Sequence, residues 1–162
     1  MDRLWAPWRL NYASAPKAGP DGEGCFICRG VADSDDRASL IADRTECSVT
    51  ILNRYPYNNG HLLVSPRDHK AELHELTDAE SLDLQRTIAK MIAALKRAIR
   101  PDGFNVGLNL GRAAGAGVPG HLHWHVVPRW NGDANFMPAI ADTKVIVQSL
   151  DSLYDALARE LR

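Results

Sequence analysis

The sequence has no surplus of either charge: 19 Lys and Arg face 20 Asp and Glu, a formal net charge of −1 over 162 residues. That balance argues against a dedicated binder of nucleic-acid polymers or of an anionic membrane, since both carry a basic excess. A small local anion site remains allowed. No apolar run approaches the roughly 18 residues of a membrane span. The opening residues, Met1 to Arg9, lack the apolar core of a signal peptide, so the cytoplasm is the expected compartment. Cysteine is scarce and odd in number, three in all, which excludes a secreted disulfide framework. Cys47 stands alone in an apolar segment and reads as a small core residue. There is no internal repeat. Hydrophobic residues at 45% and charged residues at 24% are ordinary for a soluble domain and exclude disorder.

What is present is enough for one domain with a real core. Residues 1–24, with Trp5, Pro7, Trp8, Pro16 and Pro20, read as an irregular segment packing on a single domain at 25–162. The cluster Asp33-Ser34-Asp35-Asp36 reads as a solvated turn. Residues 46–53 form a predicted strand, followed by turn chemistry at Tyr55 to Gly60 and a second apolar run at 61–64. Thr77 and Glu80 have capping-box spacing. Leu84, Ile88, Met91, Ile92, Leu95 and Ile99 follow on one helical face, so a helix is predicted over 78–99, ended by Pro101 and Asp102-Gly103. Over 104–110, Phe104, Val106, Leu108 and Leu110 alternate with Asn105, Gly107 and Asn109. A Gly/Ala-rich loop fills 111–120, and a last strand is expected at 121–127. Ile146, Leu150, Leu153, Tyr154, Leu157 and Leu161 predict a C-terminal helix. The expected class is α+β, a mainly antiparallel sheet with one central and one C-terminal helix.

The informative segment is His121-Leu122-His123-Trp124-His125-Val126-Val127, which holds three of the six histidines. On a strand, the i, i+2, i+4 spacing puts the imidazoles on one face and Leu122, Trp124 and Val126 on the other. The apolar face predicts an interior strand packed under a helix; the histidine face predicts a cleft. The outer two side chains would stand about 13 Å apart on a regular strand. Metal–nitrogen bonds are near 2.0 Å. One ion therefore does not collect all three, and their roles must differ. Neutral imidazole is a nucleophile and protonated imidazole a donor to phosphate oxygens. The glycine-rich loop, Gly117 included, can bring backbone N–H groups close to a phosphate.

This segment resembles the H-φ-H-φ-H-φ-φ signature of the histidine triad (HIT) superfamily. Ile51 to Val64 resembles the family's first hairpin, and Phe104 to Gly111 the strand and loop before the triad. The strings G-F-N-V-G-L-N-L-G, V-V-P-R-W and G-D-A-N-F resemble the branch that contains bacterial diadenosine tetraphosphate phosphorylases. The resemblance implies a HIT-like antiparallel fold, a homodimer, and nucleotidyl transfer through a covalent intermediate on adenine nucleotides or dinucleoside polyphosphates. It implies that His123 attacks the α-phosphorus and that His125 donates to the phosphoryl oxygens. It places Asn53 at the ribose, Asn109 at the phosphate or the scissile bridge, Ile51 and Leu63 in the base pocket, and His61 beside the triad as support. Many members carry Ser or Thr three residues before the triad, assisting the leaving group. Here that position is Val118, which favours a nucleotide leaving group over a basic amine. Loop 111–120 offers no side-chain base to activate water and Val118 no hydroxyl to order one, so with the resemblance to the phosphorylase branch phosphorolysis is expected ahead of hydrolysis. A nucleoside phosphoramidase or mononucleotide hydrolase is the second reading, and a nucleotide-binding signalling module the third.

Cys25 and Cys28 form a C-x-x-C pair with two readings. A redox pair normally opens a helix in a βαβ unit, and none is predicted around it. A zinc site needs two further ligands. In some HIT proteins these are a histidine after the first hairpin and the first histidine of the triad. The resemblance therefore implies a structural zinc held by Cys25, Cys28, His69 and His121. His74 reads as solvent-facing.

Overall fold

A computed structural model of the chain describes residues 24–133 and 146–162. The Trp5 and Trp8 segment and Ala134-Asn135-Phe136 of the G-D-A-N-F string lie outside the described residues. The elements run α1 (Phe26–Ala32), β1 (Ile41–Arg44), β2 (Ser48–Leu52), β3 (Leu62–Pro66), a 3₁₀ turn (Leu73–Glu75), α2 (Asp78–Ile99), β4 (Gly103–Leu108), β5 (Trp124–Arg129) and α3 (Leu150–Leu161). The five strands form one sheet in the order β1-β2-β3-β5-β4, every neighbouring pair antiparallel.

The register sorts the side chains. Leu62 pairs with Val126 and Leu52, and Val64 with Trp124, on one face. These side chains meet Leu84, Ile88, Met91 and Leu95 of α2 and Leu153 and Leu157 of α3 in the main core. Fully burying each such Leu, Ile or Met contributes roughly 1.5–3 kcal/mol, so this face holds the fold together. On the opposite face, Leu63 pairs with both Ile51 and His125, and Gly107 also pairs with His125. There a smaller cluster of Ile41, Val49, Ile51 and Leu63 packs under Cys25 and Ile27. The histidines therefore share a face with the C-x-x-C helix and not with the main core.

The central helix matches its sequence prediction. The Thr77 side chain accepts from the Glu80 N–H, and the Glu80 carboxylate accepts from the Thr77 N–H, satisfying two free donors of the first turn. Arg100 in the left-handed conformation (φ 48°) and Pro101 end it. Phe104, Val106 and Leu108 lie on the helix side of β4 as the alternation required, and the acidic turn at 33–36 is largely exposed.

Four sequence expectations need correction. The last strand begins at Trp124, so His121 and His123 sit in the extended approach to it; among the described residues no strand pairs with them to continue the ladder. Ile146 precedes the C-terminal helix. Cys47 is half-buried in the β1–β2 turn, not in the core; its carbonyl accepts from the Arg67 N–H at 2.9 Å. The C-x-x-C segment opens a seven-residue helix, with Cys25 as its N-cap, which the proline- and glycine-rich surroundings concealed. The β1 strand was also missed; at four residues it is too short to show a period.

Gly60 closes the β2–β3 loop at φ +78°, and a Cβ there would fall 2.6 Å from Ile99 Cδ1 and 2.9 Å from Pro128 Cγ. Both the conformation and the space demand glycine. Gly60→Ala should lower stability by roughly 2–3 kcal/mol from overpacking and left-handed strain, read as a shift of the urea midpoint at unchanged slope. A loss under about 0.5 kcal/mol, the size of an ordinary surface change, would show that the loop does not need this geometry.

Candidate functional site

β5 lies between β3 and β4, so its histidine is fixed from both sides. The His123 ring stands edge-on to His125, centroids 5.2 Å apart, while the His121 ring stands edge-on to His69 at 4.9 Å. His121 and His123 are buried and His125 half-buried. The triad thus divides into two sites with a common backbone.

Hydrogen bonds fix the tautomers at the first site. The backbone N–H of Tyr57 donates to His61 Nδ1 at 2.9 Å. A backbone N–H only donates, so Nδ1 is an acceptor and the proton of neutral His61 is on Nε2. That Nε2–H donates to His125 Nδ1 at 2.9 Å. The proton of His125 is therefore on its own Nε2, which is buried and, among the described residues, meets no polar partner. His123 is set the other way. Its Nδ1 lies 2.7 Å from the His121 carbonyl, which only accepts, so Nδ1 carries the proton and Nε2 the lone pair. Burial pushes the His123 imidazole below its ordinary range. Burial, reinforced by His123, pushes His125 down to about 4. Both rings are neutral at pH 7: one presents a lone pair, its neighbour an N–H.

The remaining residues surround this pair. Asn53 ends β2; its Oδ1 accepts from the Tyr55 N–H at 2.9 Å and its Nδ2 donates to His61 Nδ1 at 3.2 Å. The Asn109 amide lies against the glycine-rich loop, 3.9 Å from where a Gly115 Cβ would stand. Gly117 is half-buried in that loop, and Val118 after it packs into the Ile51–Leu63 cluster. Ile51 and Leu63 are brought together as expected, with Ile27 of α1 packed in the same cluster. The Tyr57 ring, stacked on His125 at 5.6 Å, was missed. So was its amide, since a backbone donor leaves no mark in a side-chain reading.

The second site gathers Cys25, Cys28, His69 and His121, whose ligand atoms all lie within 4.8 Å of one another. His121 Nε2–H donates to the Pro66 carbonyl at 2.9 Å, which turns Nδ1 toward the sulfurs, 3.4 Å from Cys25 Sγ and 3.5 Å from Cys28 Sγ. His69 Nδ1 is 3.2 Å from Cys28 Sγ. Tetrahedral bonds of 2.3 Å to sulfur and 2.0–2.1 Å to nitrogen would separate these atoms by about 3.6 Å. The donor set and spacing therefore fit a metal ion, and the Pro66 carbonyl supplies the orienting bond that such imidazoles require. The Cys28 thiol is pushed up to about 11, by burial and by Cys25, the reverse of an activated redox thiol. His74 is exposed and belongs to neither site.

Fold and site together define a small antiparallel α+β protein built around a histidine row and a Cys2His2 cluster. The HIT domain model matches residues 36–132, and the chain belongs to the HIT family. It is 44% identical to an AP-4-A phosphorylase of Mycobacterium tuberculosis over 164 residues, covering 99% of this chain and 84% of that one. It is 34% identical to the adenosine 5'-monophosphoramidase hnt1 of Schizosaccharomyces pombe, covering 66% of this chain and 75% of that one. A hypothetical histidine triad nucleotide-binding protein of Sulfolobus tokodaii superposes with a TM-score of 0.67 at 25% identity, covering 85% and 91% of the two chains.

The assigned tautomers are directly measurable. Nitrogen-15 correlation spectra across a pH titration should show His123 as the Nδ1–H form and His125 as the Nε2–H form, both neutral at pH 7 and His125 still neutral at pH 6. A His125 ring that protonates near its ordinary 6.5 would contradict the geometry.

Proposed function

We propose that this chain cleaves dinucleoside polyphosphates of the diadenosine tetraphosphate type by nucleotidyl transfer through His123. The observation that carries the reading is the pair of oppositely fixed tautomers on adjacent rings: a lone pair at His123 Nε2 beside an unpartnered N–H at His125 Nε2. The names of the relatives, AP-4-A phosphorylase and bis(5'-nucleosyl)-tetraphosphatase among them, support an enzyme of phosphoanhydrides.

In the first step His123 Nε2 attacks the α-phosphorus in line, an N–P bond forms, and the P–O bond to the leaving nucleoside polyphosphate breaks. The positive charge developing on the ring is met by the His121 carbonyl at Nδ1–H. His125 Nε2–H stabilises the phosphoryl oxygens; a preorganised donor of this kind contributes about 10²–10³ in rate. In the second step an acceptor oxygen attacks the same phosphorus and His123 leaves with its lone pair restored. Asn53 at the ribose, Asn109 and Gly117 at the phosphates, and Ile51 and Leu63 at the base complete the assignment, and His61 holds the His125 tautomer.

Inorganic phosphate is the favoured acceptor. Val118 is packed into the apolar cluster and offers no hydroxyl to order a water. The glycine-rich loop supplies backbone donors but no side-chain base. Phosphate arrives already charged and needs positioning more than deprotonation. Diadenosine tetraphosphate and phosphate would then yield ATP and ADP.

Zinc is the metal that the Cys2His2 set fits best, and with four protein ligands it leaves no open position for water, so its contribution is structural. A homodimer is supported by β4, a sheet edge that exposes Val106 beside an exposed Leu110. We read 25–162 as one unit, since α1 and α3 pack on opposite faces of the same sheet. Among the described residues no helix is long and apolar enough to cross a membrane; a cytoplasmic setting remains part of this proposal.

Product analysis across a phosphate titration tests the function. ADP and ATP should form at a rate that rises with phosphate; His123→Ala should abolish turnover and His125→Ala should slow it about 10²–10³-fold. AMP and ATP forming at a rate indifferent to phosphate would make water the acceptor, and a His123→Ala variant turning over at more than a few per cent, a barrier rise under about 2 kcal/mol, would remove the nucleophile. For the metal, elemental analysis of untagged protein should find one zinc per chain. Cys25→Ser should release it and lower the melting temperature more than it alters the kcat of the folded fraction. Metal-free, fully stable wild-type protein would refute the site.

A further inference from the structure

The connection from β3 to α2 carries His69 and then runs beside the histidine segment. A largely buried ion pair holds it there. Lys70 Nζ lies 2.6 Å from each oxygen of the Glu80 carboxylate, the two side chains only 20% and 10% exposed. Glu80 is in the first turn of α2, where its Oε2 also accepts from the Thr77 N–H at 2.7 Å and the Thr77 hydroxyl at 2.8 Å. The helix cap is therefore complete without Lys70. Nor is stability a sufficient reason for the pair, because desolvation cancels most of what a buried ion pair gains.

What Lys70 adds is a tether. With its side chain clamped to α2, its main-chain carbonyl accepts from the Leu122 N–H at 2.7 Å. Leu122 is the residue between His121 and His123. Its own carbonyl takes the buried Ser65 hydroxyl at 2.6 Å. His121 and His123 lie before the β5 ladder, so these bonds replace the strand pairing that fixes His125.

We propose that Lys70 is a positioning residue. Its ion pair with Glu80 holds the residue 69–70 backbone as the template on which Leu122 is bonded, and so aims His123 Nε2 while keeping His69 and His121 together. The inference rests on the reading of His123 as the nucleophile. A nucleophile displaced by even an ångström loses about 100-fold in rate, so an anchor that contributes little to stability still matters to turnover. The effect should fall on kcat, because the Lys70 ammonium is held at the Glu80 carboxylate.

The experiment uses the full-length chain as wild type, Lys70→Met and Lys70→Arg. Amide hydrogen exchange is followed at Leu122 and, as a core reference, at Met91; kcat and KM are measured with diadenosine tetraphosphate. In Lys70→Met the Leu122 amide should exchange at least roughly tenfold faster while Met91 changes less than about threefold, the mark of local and not global opening. kcat should fall about 10- to 100-fold with KM within about threefold, and Lys70→Arg should restore both readouts. Acceleration of Leu122 and Met91 together, or kcat within about twofold of wild type, would overturn the tether. Should Lys70→Met fail to fold, Glu80→Gln keeps an acceptor for Thr77 while removing the charge that holds Lys70, and the same comparison decides. If His123→Ala retains turnover, the nucleophile reading fails by itself, and the contrast in exchange between Leu122 and Met91 still decides the tether.

Discussion

A backbone carbonyl can accept a hydrogen bond but not donate one, and much of the chemistry of this site follows from that constraint at His121. Its carbonyl holds His123 Nδ1–H at 2.7 Å and so leaves the lone pair on Nε2. Its ring, turned by the Pro66 carbonyl, presents Nδ1 to two cysteine sulfurs. One residue thus connects the Cys2His2 cluster with the ring assigned as nucleophile, the first by its side chain and the second by its main chain. Among the described residues no strand pairs with the segment 121–123, and it is held by its contacts with Ser65, Pro66 and Lys70.

The two faces of the sheet divide the labour. The helix-covered face holds the main hydrophobic core and most of the stabilising burial. The opposite face holds the smaller cluster under α1, and there the polar machinery is concentrated. Uncharged imidazoles are a consequence of that placement: burial disfavours the charged forms, and the rings keep one proton each. In such surroundings a fixed donor acts on a phosphoryl oxygen far more strongly than it would in bulk water.

The main helix was legible in the sequence to the residue, because capping box, apolar face and terminating proline agree. Four strands were legible as apolar runs but not in their limits. The spacing of the histidines placed them on one side of the chain and required a division of roles, yet it extended the strand over His121 and His123, where pairing fails. The C-x-x-C helix was hidden by its short length and by the glycines around it. The C-x-x-C pair was a local signal, but the two histidines came from resemblance alone; they lie 41 to 96 positions from the cysteines, a distance that no local pattern spans. The tautomers were illegible for a different reason. They depend on the Tyr57 amide and on the Pro66 and His121 carbonyls, groups that every residue possesses and that only the fold can aim.

The central claim is that His123 Nε2 becomes covalently bonded to the α-phosphorus. Rapid quench of the enzyme with diadenosine tetraphosphate, followed by mass spectrometry of the peptide holding residues 121–125, tests it most directly. The account predicts an acid-labile adduct of one adenylyl group on His123, formed within a single turnover and discharged faster as phosphate is added. An enzyme that turns over with no adduct, or with the group carried by another residue, would contradict it.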